Sequence, residues 1–120
     1  MTKILVVEDD PLNMELVCEI LRSNGFTVHE ASNGKEAIEK TGKESYDLIV
    51  MDIMMPGIDG IETTRIIKSK AGYEKTPVIA LTAYAMKGDR ERLIEVGFDD
   101  YIPKPIDVPE FMRIIRKYKV

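Results

Sequence analysis

The 120-residue chain reads as an α/β protein, a single five-stranded parallel sheet flanked by five helices. Three observations predict this. Short runs of Val, Ile and Leu alternate strictly with amphipathic helical segments. Three of the runs are almost continuously apolar, the pattern of strands covered on both faces. Helix-start residues stand at the right places between runs. Five strand–helix units in one small domain, spanning residues 1–120, make a parallel sheet with helices on both sides. The strand order expected is 2-1-3-4-5, taken over from the known doubly wound arrangement rather than deduced from these residues.

The elements follow in order. Strands are expected at 3–7 (KILVV), 27–31 (TVHEA), 48–52 (LIVMD), 78–82 (VIALT) and 100–103 (DYIP). Asp10 before Pro11 has the form of an N-cap and first helical residue. The first helix is expected to bury Leu12, Leu16, Val17, Ile20 and Leu21 and to stop at Gly25. Asp59 with Glu62, and Asp107 with Glu110, have capping-box spacing, and Asn33 with Glu36 approximates it. Gly97 is placed to end the fourth helix. In the fifth, Phe111, Ile114, Ile115 and Tyr118 recur at helical spacing.

Composition narrows the function classes. A net charge of −4 argues against a nucleic-acid surface. The single cysteine, Cys18, makes neither an internal disulfide nor a cysteine metal cage and fits a small core residue. No apolar run approaches the roughly 18 residues of a membrane span. The N-terminus lacks a signal-peptide shape, so a cytoplasmic protein is expected.

The chemistry gathers at strand ends. Glu8 and Asp9 close strand 1, and Asp52 closes strand 3. In the expected order these strands flank the switch point, beyond whose carboxyl ends ligands bind. Thr82 ends strand 4 and Lys104 follows strand 5. Like charges this close resist ionising together, and an Mg²⁺ ion would offset the repulsion, taking one or two carboxylates and completing its shell with water and phosphate oxygens. Each residue alone has an ordinary reading: Asp10 as a cap, Glu8–Asp9 as a solvated strand end, Asp52 as a turn, Thr82 as a strand former, Lys104 as a surface charge. Chance does not readily explain their convergence on one edge. His29 is read as structural, and Met51, Met54 and Met55 as packing.

The stretches ILVVEDDPLNM, DLIVMDIMMPGIDG, VIALTAYAMKGD and YIPKPI resemble the receiver domain of two-component response regulators over the whole chain, a fold of the flavodoxin-like type. TAYAMKGD and YIPKPI are especially similar to small single-domain regulators of the bacterial cell-cycle type and to receivers of hybrid histidine kinases. The resemblance implies Asp52 as phosphoacceptor. It implies Mg²⁺, with Mn²⁺ as a substitute, bound by Asp9, Asp52 and the backbone carbonyl of Met54, and by Glu8 through water. Thr82 would contact the phosphoryl group, Lys104 would pair with it, Pro105 would follow a cis peptide bond, and Tyr101 would turn inward beside the small Ala83. The departures are small: Glu8 stands where Asp is common, and Met54 and Tyr84 occupy variable positions. These two border the water's approach to the phosphoryl group and predict slow self-dephosphorylation.

The expected partners are a sensor histidine kinase or histidine phosphotransfer protein and a downstream protein bound through helix 4, strand 5 and helix 5, with no nucleic acid and no membrane. The chain would catalyse only its own phosphorylation and dephosphorylation. Other readings stay open. A receiver excised from a hybrid kinase or larger regulator has the same residues. A flavin mononucleotide carrier needs a Ser/Thr/Gly-rich loop where EDDPLN stands. A Mg²⁺-dependent phosphatase with an Asp nucleophile needs an acid where Met54 stands, and a cap region for its substrate.

Overall fold

The runs rich in Val, Ile and Leu become the middle of the sheet because only there are both strand faces covered. The structure is a computed structural model that describes residues 2–53, 57, 59–83 and 89–118. Its strands are β1 (Lys3–Val7), β2 (Thr27–Ala31), β3 (Leu48–Asp52), β4 (Val78–Thr82) and β5 (Asp100–Pro103), and its helices α1 (Pro11–Ser23), α2 (Gly34–Lys43), α3 (Gly60–Lys68), α4 (Asp89–Glu95) and α5 (Val108–Lys117). All four pairings are parallel, in the order β2-β1-β3-β4-β5. Every residue of β3 and β4 is buried, whereas the edge strand β5 alternates and β2 is buried only at Val28 and Ala31.

The two-residue period of the strands divides the core in two. Ile4, Val6, Val50, Ile79 and Leu81 join Val17 and Leu21 of α1 and Phe111 and Ile115 of α5. Leu5, Val7, Ile49, Met51 and Ala80 join Ala37 of α2, Ile67 of α3 and Leu93 of α4. Cys18 is buried in the first layer, where its surroundings push the thiol pKa up to about 11, chiefly by desolvation. His29 lies in β2 beside Tyr46 and Glu44, its Nδ1 2.9 Å from the Tyr46 hydroxyl and 3.1 Å from Glu44 Oε2.

The helix starts follow their sequence signals. Asp10 accepts from Leu12 N–H, Asn33 from Glu36 N–H, Asp59 from Glu62 N–H and Asp107 from Glu110 N–H. Gly25 and Gly97, with φ of 88° and 116°, supply the left-handed turns that end α1 and α4.

One expectation fails. Leu12 and Leu16 are not on the buried face of α1; they are 76% and 42% exposed. The covered stripe is Met14, Val17, Cys18, Ile20 and Leu21. At about 100° per residue, Leu12 lies half a turn round the helix from Leu21, so one sheet cannot cover both. No helix among the described residues is long and apolar enough to cross a membrane.

Candidate functional site

The register of the sheet builds the site. Val7 pairs with Met51, so the residues that follow, Glu8 and Asp52, leave adjacent strands side by side. Each backbone is held just past that pairing: Glu8 N–H donates to Ala31 O at 3.0 Å, and Ile53 N–H to Leu81 O at 3.2 Å. Carboxylate oxygens of Glu8, Asp9 and Asp52 all lie within 4.8 Å of one another. Glu8 and Asp52 are each 1% exposed, and Asp9 is open to solvent.

Lys104 reaches this cluster from the end of β5. Its backbone N–H donates to Thr82 O at 2.8 Å, and the Lys104–Pro105 peptide bond is cis. Its Nζ lies 3.2 Å from Glu8 Oε1 and 3.4 Å from Asp52 Oδ1. The other Glu8 oxygen, Oε2, accepts the Asp10 N–H at 3.1 Å. Asp10 therefore serves the site with its backbone while its side chain caps α1. Thr82 is buried at the end of β4, Ala83 beyond it is exposed, and Tyr101 is partly buried against the second core layer. Met54 and Tyr84, the residues expected to supply a carbonyl ligand and to border the water's path, lie outside the described residues.

The electrostatics are those of too much negative charge in too little water. Burial, then the neighbouring Glu8, raises the Asp52 pKa to about 7, and Lys104 only partly offsets this. The Lys104 pKa is also raised. Desolvation is the largest single influence and opposes the charge, but the pull of Glu8 and Asp52 together outweighs it. The site fits a hard divalent cation. Its donors are all oxygens, and among the described residues three carboxylates face one ammonium.

A buried carboxylate at the switch point, clustered with two further acids and paired to a lysine, is the geometry against which the comparisons are set. The response regulator receiver domain matches residues 4–116. The chain belongs to the response regulator receiver family. It is 41% identical to the polar-differentiation response regulator DivK of Brucella anthropi over 115 residues, 96% of this chain and 94% of that one. It also resembles the receiver domain of the sensor histidine kinase PA1611 from Pseudomonas aeruginosa, solved with a magnesium ion coordinated in its active site cleft. That receiver is 38% identical with a TM-score of 0.89, over 98% of this chain and 96% of that one. The response regulator TrrA of Thermotoga maritima, solved in complex with Mg²⁺–BeF, is 36% identical with a TM-score of 0.88, over 99% of this chain and 100% of that one. As a receiver domain, the chain is a signalling regulator in two-component systems, a class that works with histidine kinases and downstream targets.

Proposed function

We propose that Asp52 is the phosphoacceptor and that residues 1–120 act as one phosphorylation-controlled receiver unit. The observation that carries this is the buried Asp52 carboxylate, gathered with Glu8 and Asp9 and paired to the Lys104 ammonium at the switch point of the sheet. An Asp52 carboxylate oxygen attacks phosphorus. The bond from phosphorus to the donor breaks, and its electron pair leaves with the donor, the imidazole nitrogen of a phosphohistidine. Attack needs the ionised carboxylate, and Lys104 favours that form. Lys104 also meets the charge spread over the phosphoryl oxygens. Asp9, Asp52 and the Met54 carbonyl would hold Mg²⁺, or Mn²⁺ in its place, with Glu8 acting through water. When bound, the ion supplies charge neutralisation at the acids and the phosphoryl oxygens.

The acyl phosphate adds charge and strong acceptors beside Thr82. The Thr82 hydroxyl moves to it, Ala83 leaves room, and Tyr101 turns further inward; Pro105 and the Lys104 backbone keep the lysine aimed. The change leaves through α4, β5 and α5 to a protein partner, without nucleic acid or membrane, in the cytoplasm. The Met54 thioether is too weak an acceptor to orient water and Tyr84 is bulky, so the phosphoryl group is lost slowly. The chain catalyses no turnover of other substrates. The test is intact mass after incubation with acetyl phosphate and Mg²⁺. Wild type gains one phosphoryl group, and Asp52→Asn or excess chelator prevents the gain. Equal labelling in either control contradicts the proposal.

A further inference from the structure

Gly60 opens α3 against the backbone of Asp52 itself. A Cβ at residue 60 would meet Ile53 Cα at 2.8 Å and Asp52 C at 3.0 Å, with the Asp52 carbonyl oxygen nearer still, closer than real Cβ atoms come. All three are main-chain atoms, which cannot turn aside as a flexible side chain can. Gly60 is buried, and its N–H donates to Ile53 O at 3.0 Å, so helix and strand end are bonded as well as touching.

Neither side has slack. On the strand side, Asp52 pairs with Leu81 in β4, and Ile53 N–H donates to Leu81 O. On the helix side, Asp59 accepts Glu62 N–H at 2.8 Å, and Thr63 donates to Asp59 O through both its hydroxyl and its N–H. The Asp52 peptide is thus gripped between β4 and the first turn of α3, and the direction of its side chain follows from that peptide.

We infer that Gly60 is a positioning residue for phosphoryl acceptance: its bare Cα lets α3 close on the Asp52 peptide and so aims the carboxylate at the incoming phosphorus. The inference rests on Asp52 being the acceptor. The competing view is that Gly60 only permits packing, in which case an added methyl pushes α3 outward, lowers the melting temperature and leaves the chemistry of the folded protein alone.

The experiment compares wild type, Gly60→Ala, Gly42→Ala and Asp52→Asn well below their melting temperatures. In the Gly42 control an added Cβ would meet only Lys70 Nζ, at 3.8 Å. The readouts are phosphorylation rate against acetyl phosphate concentration at saturating Mg²⁺, beryllofluoride affinity by fluorine NMR, and thermal midpoint. Misaimed reacting groups lose rate steeply, so Gly60→Ala is expected to lower the maximal rate and the beryllofluoride affinity by about tenfold or more, with half-saturating donor concentration and the Gly42→Ala protein within about twofold of wild type. Rate and affinity in Gly60→Ala within about twofold of wild type, whatever its melting temperature, overturn the inference. If Gly60→Ala yields no folded protein, Asp59→Ala loosens the same helical turn without adding an atom. A rate at least about threefold slower then supports the inference, and a wild-type rate overturns it. Labelling of Asp52→Asn equal to wild type would instead sink the acceptor assignment beneath it.

Discussion

Glu8 and Lys104 form an ion pair in which the carboxylate side chain is fully enclosed and the ammonium, 3.2 Å away, is 22% exposed. Removing the cation leaves Glu8 and Asp52 to repel each other in a dry site. Lys104→Met is therefore expected to cost about 2–3 kcal/mol of stability at pH 8 without metal, below the full penalty of breaking a wholly buried pair because the ammonium reaches solvent. Urea unfolding with chelator gives the loss. Repeating it in Mg²⁺ should recover part, because the ion replaces the missing positive charge. A loss that Mg²⁺ leaves unchanged would mean that metal and lysine do not share these acids.

Asp52 carries a stability cost with a definite pH sign. Its pKa in the fold is raised to about 7, above that of an unfolded Asp, so the folded state binds the proton more tightly. The stability this gives is full below about pH 4 and is lost as pH rises through about 7. Asp52→Asn removes the titration. In chelator at pH 8 it is expected to unfold about 1–3 kcal/mol less easily than wild type, the advantage shrinking as pH falls below about 6. Thermal melts across that range decide it, and an advantage that grows on acidification contradicts the assignment.

The two faces of α1 differ in what they bear. Leu21→Ala opens a cavity in a packed layer and is expected to cost about 2–5 kcal/mol. Leu12→Ser changes an exposed side chain and is expected to stay within about 0.5 kcal/mol of wild type. Denaturant unfolding of both variants checks this, and a large loss from Leu12→Ser would mean that the first turn of α1 is packed after all.

Output is expected to appear where Thr82 and Tyr101 lead. With beryllofluoride and Mg²⁺, amide NMR shifts should concentrate in residues 83–92 and 99–112. Shifts confined to α1 and α2 would contradict an exit through α4, β5 and α5.

Much of this fold was legible because its signals are local. The bounds of all five strands coincide with those read from the sequence, and the interior strands were plainest, since a strand covered on both faces has no polar face to blur its apolar run. The caps at Asp10, Asn33, Asp59 and Asp107 were equally plain, because each satisfies N–H groups within three residues of itself. Non-local facts were not legible. Strand order depends on pairings across the chain and was borrowed. Leu12 and Leu16 were misplaced because both are apolar and a list of apolar positions does not say which arc meets the sheet. At the site, five strand-end residues could be named, but not that Glu8 divides its two oxygens between Lys104 and the Asp10 N–H. Gly60 bears no functional group to mark it in the sequence. Its only signal was a glycine at a helix start where a side chain would ordinarily be tolerated.

The central claim is that one carboxylate, that of Asp52, takes the phosphoryl group. The direct measurement is residue-level mapping: phosphorylate the wild-type chain with acetyl phosphate and Mg²⁺, reduce the acyl phosphate with borohydride, digest, and sequence the peptides by mass spectrometry. Reduction converts a phosphorylated Asp to homoserine and leaves a free carboxylate untouched. Homoserine is expected at position 52 alone, and only when Mg²⁺ was present. Homoserine at position 9, at position 10 or at any other Asp, with residue 52 still aspartate, would contradict it.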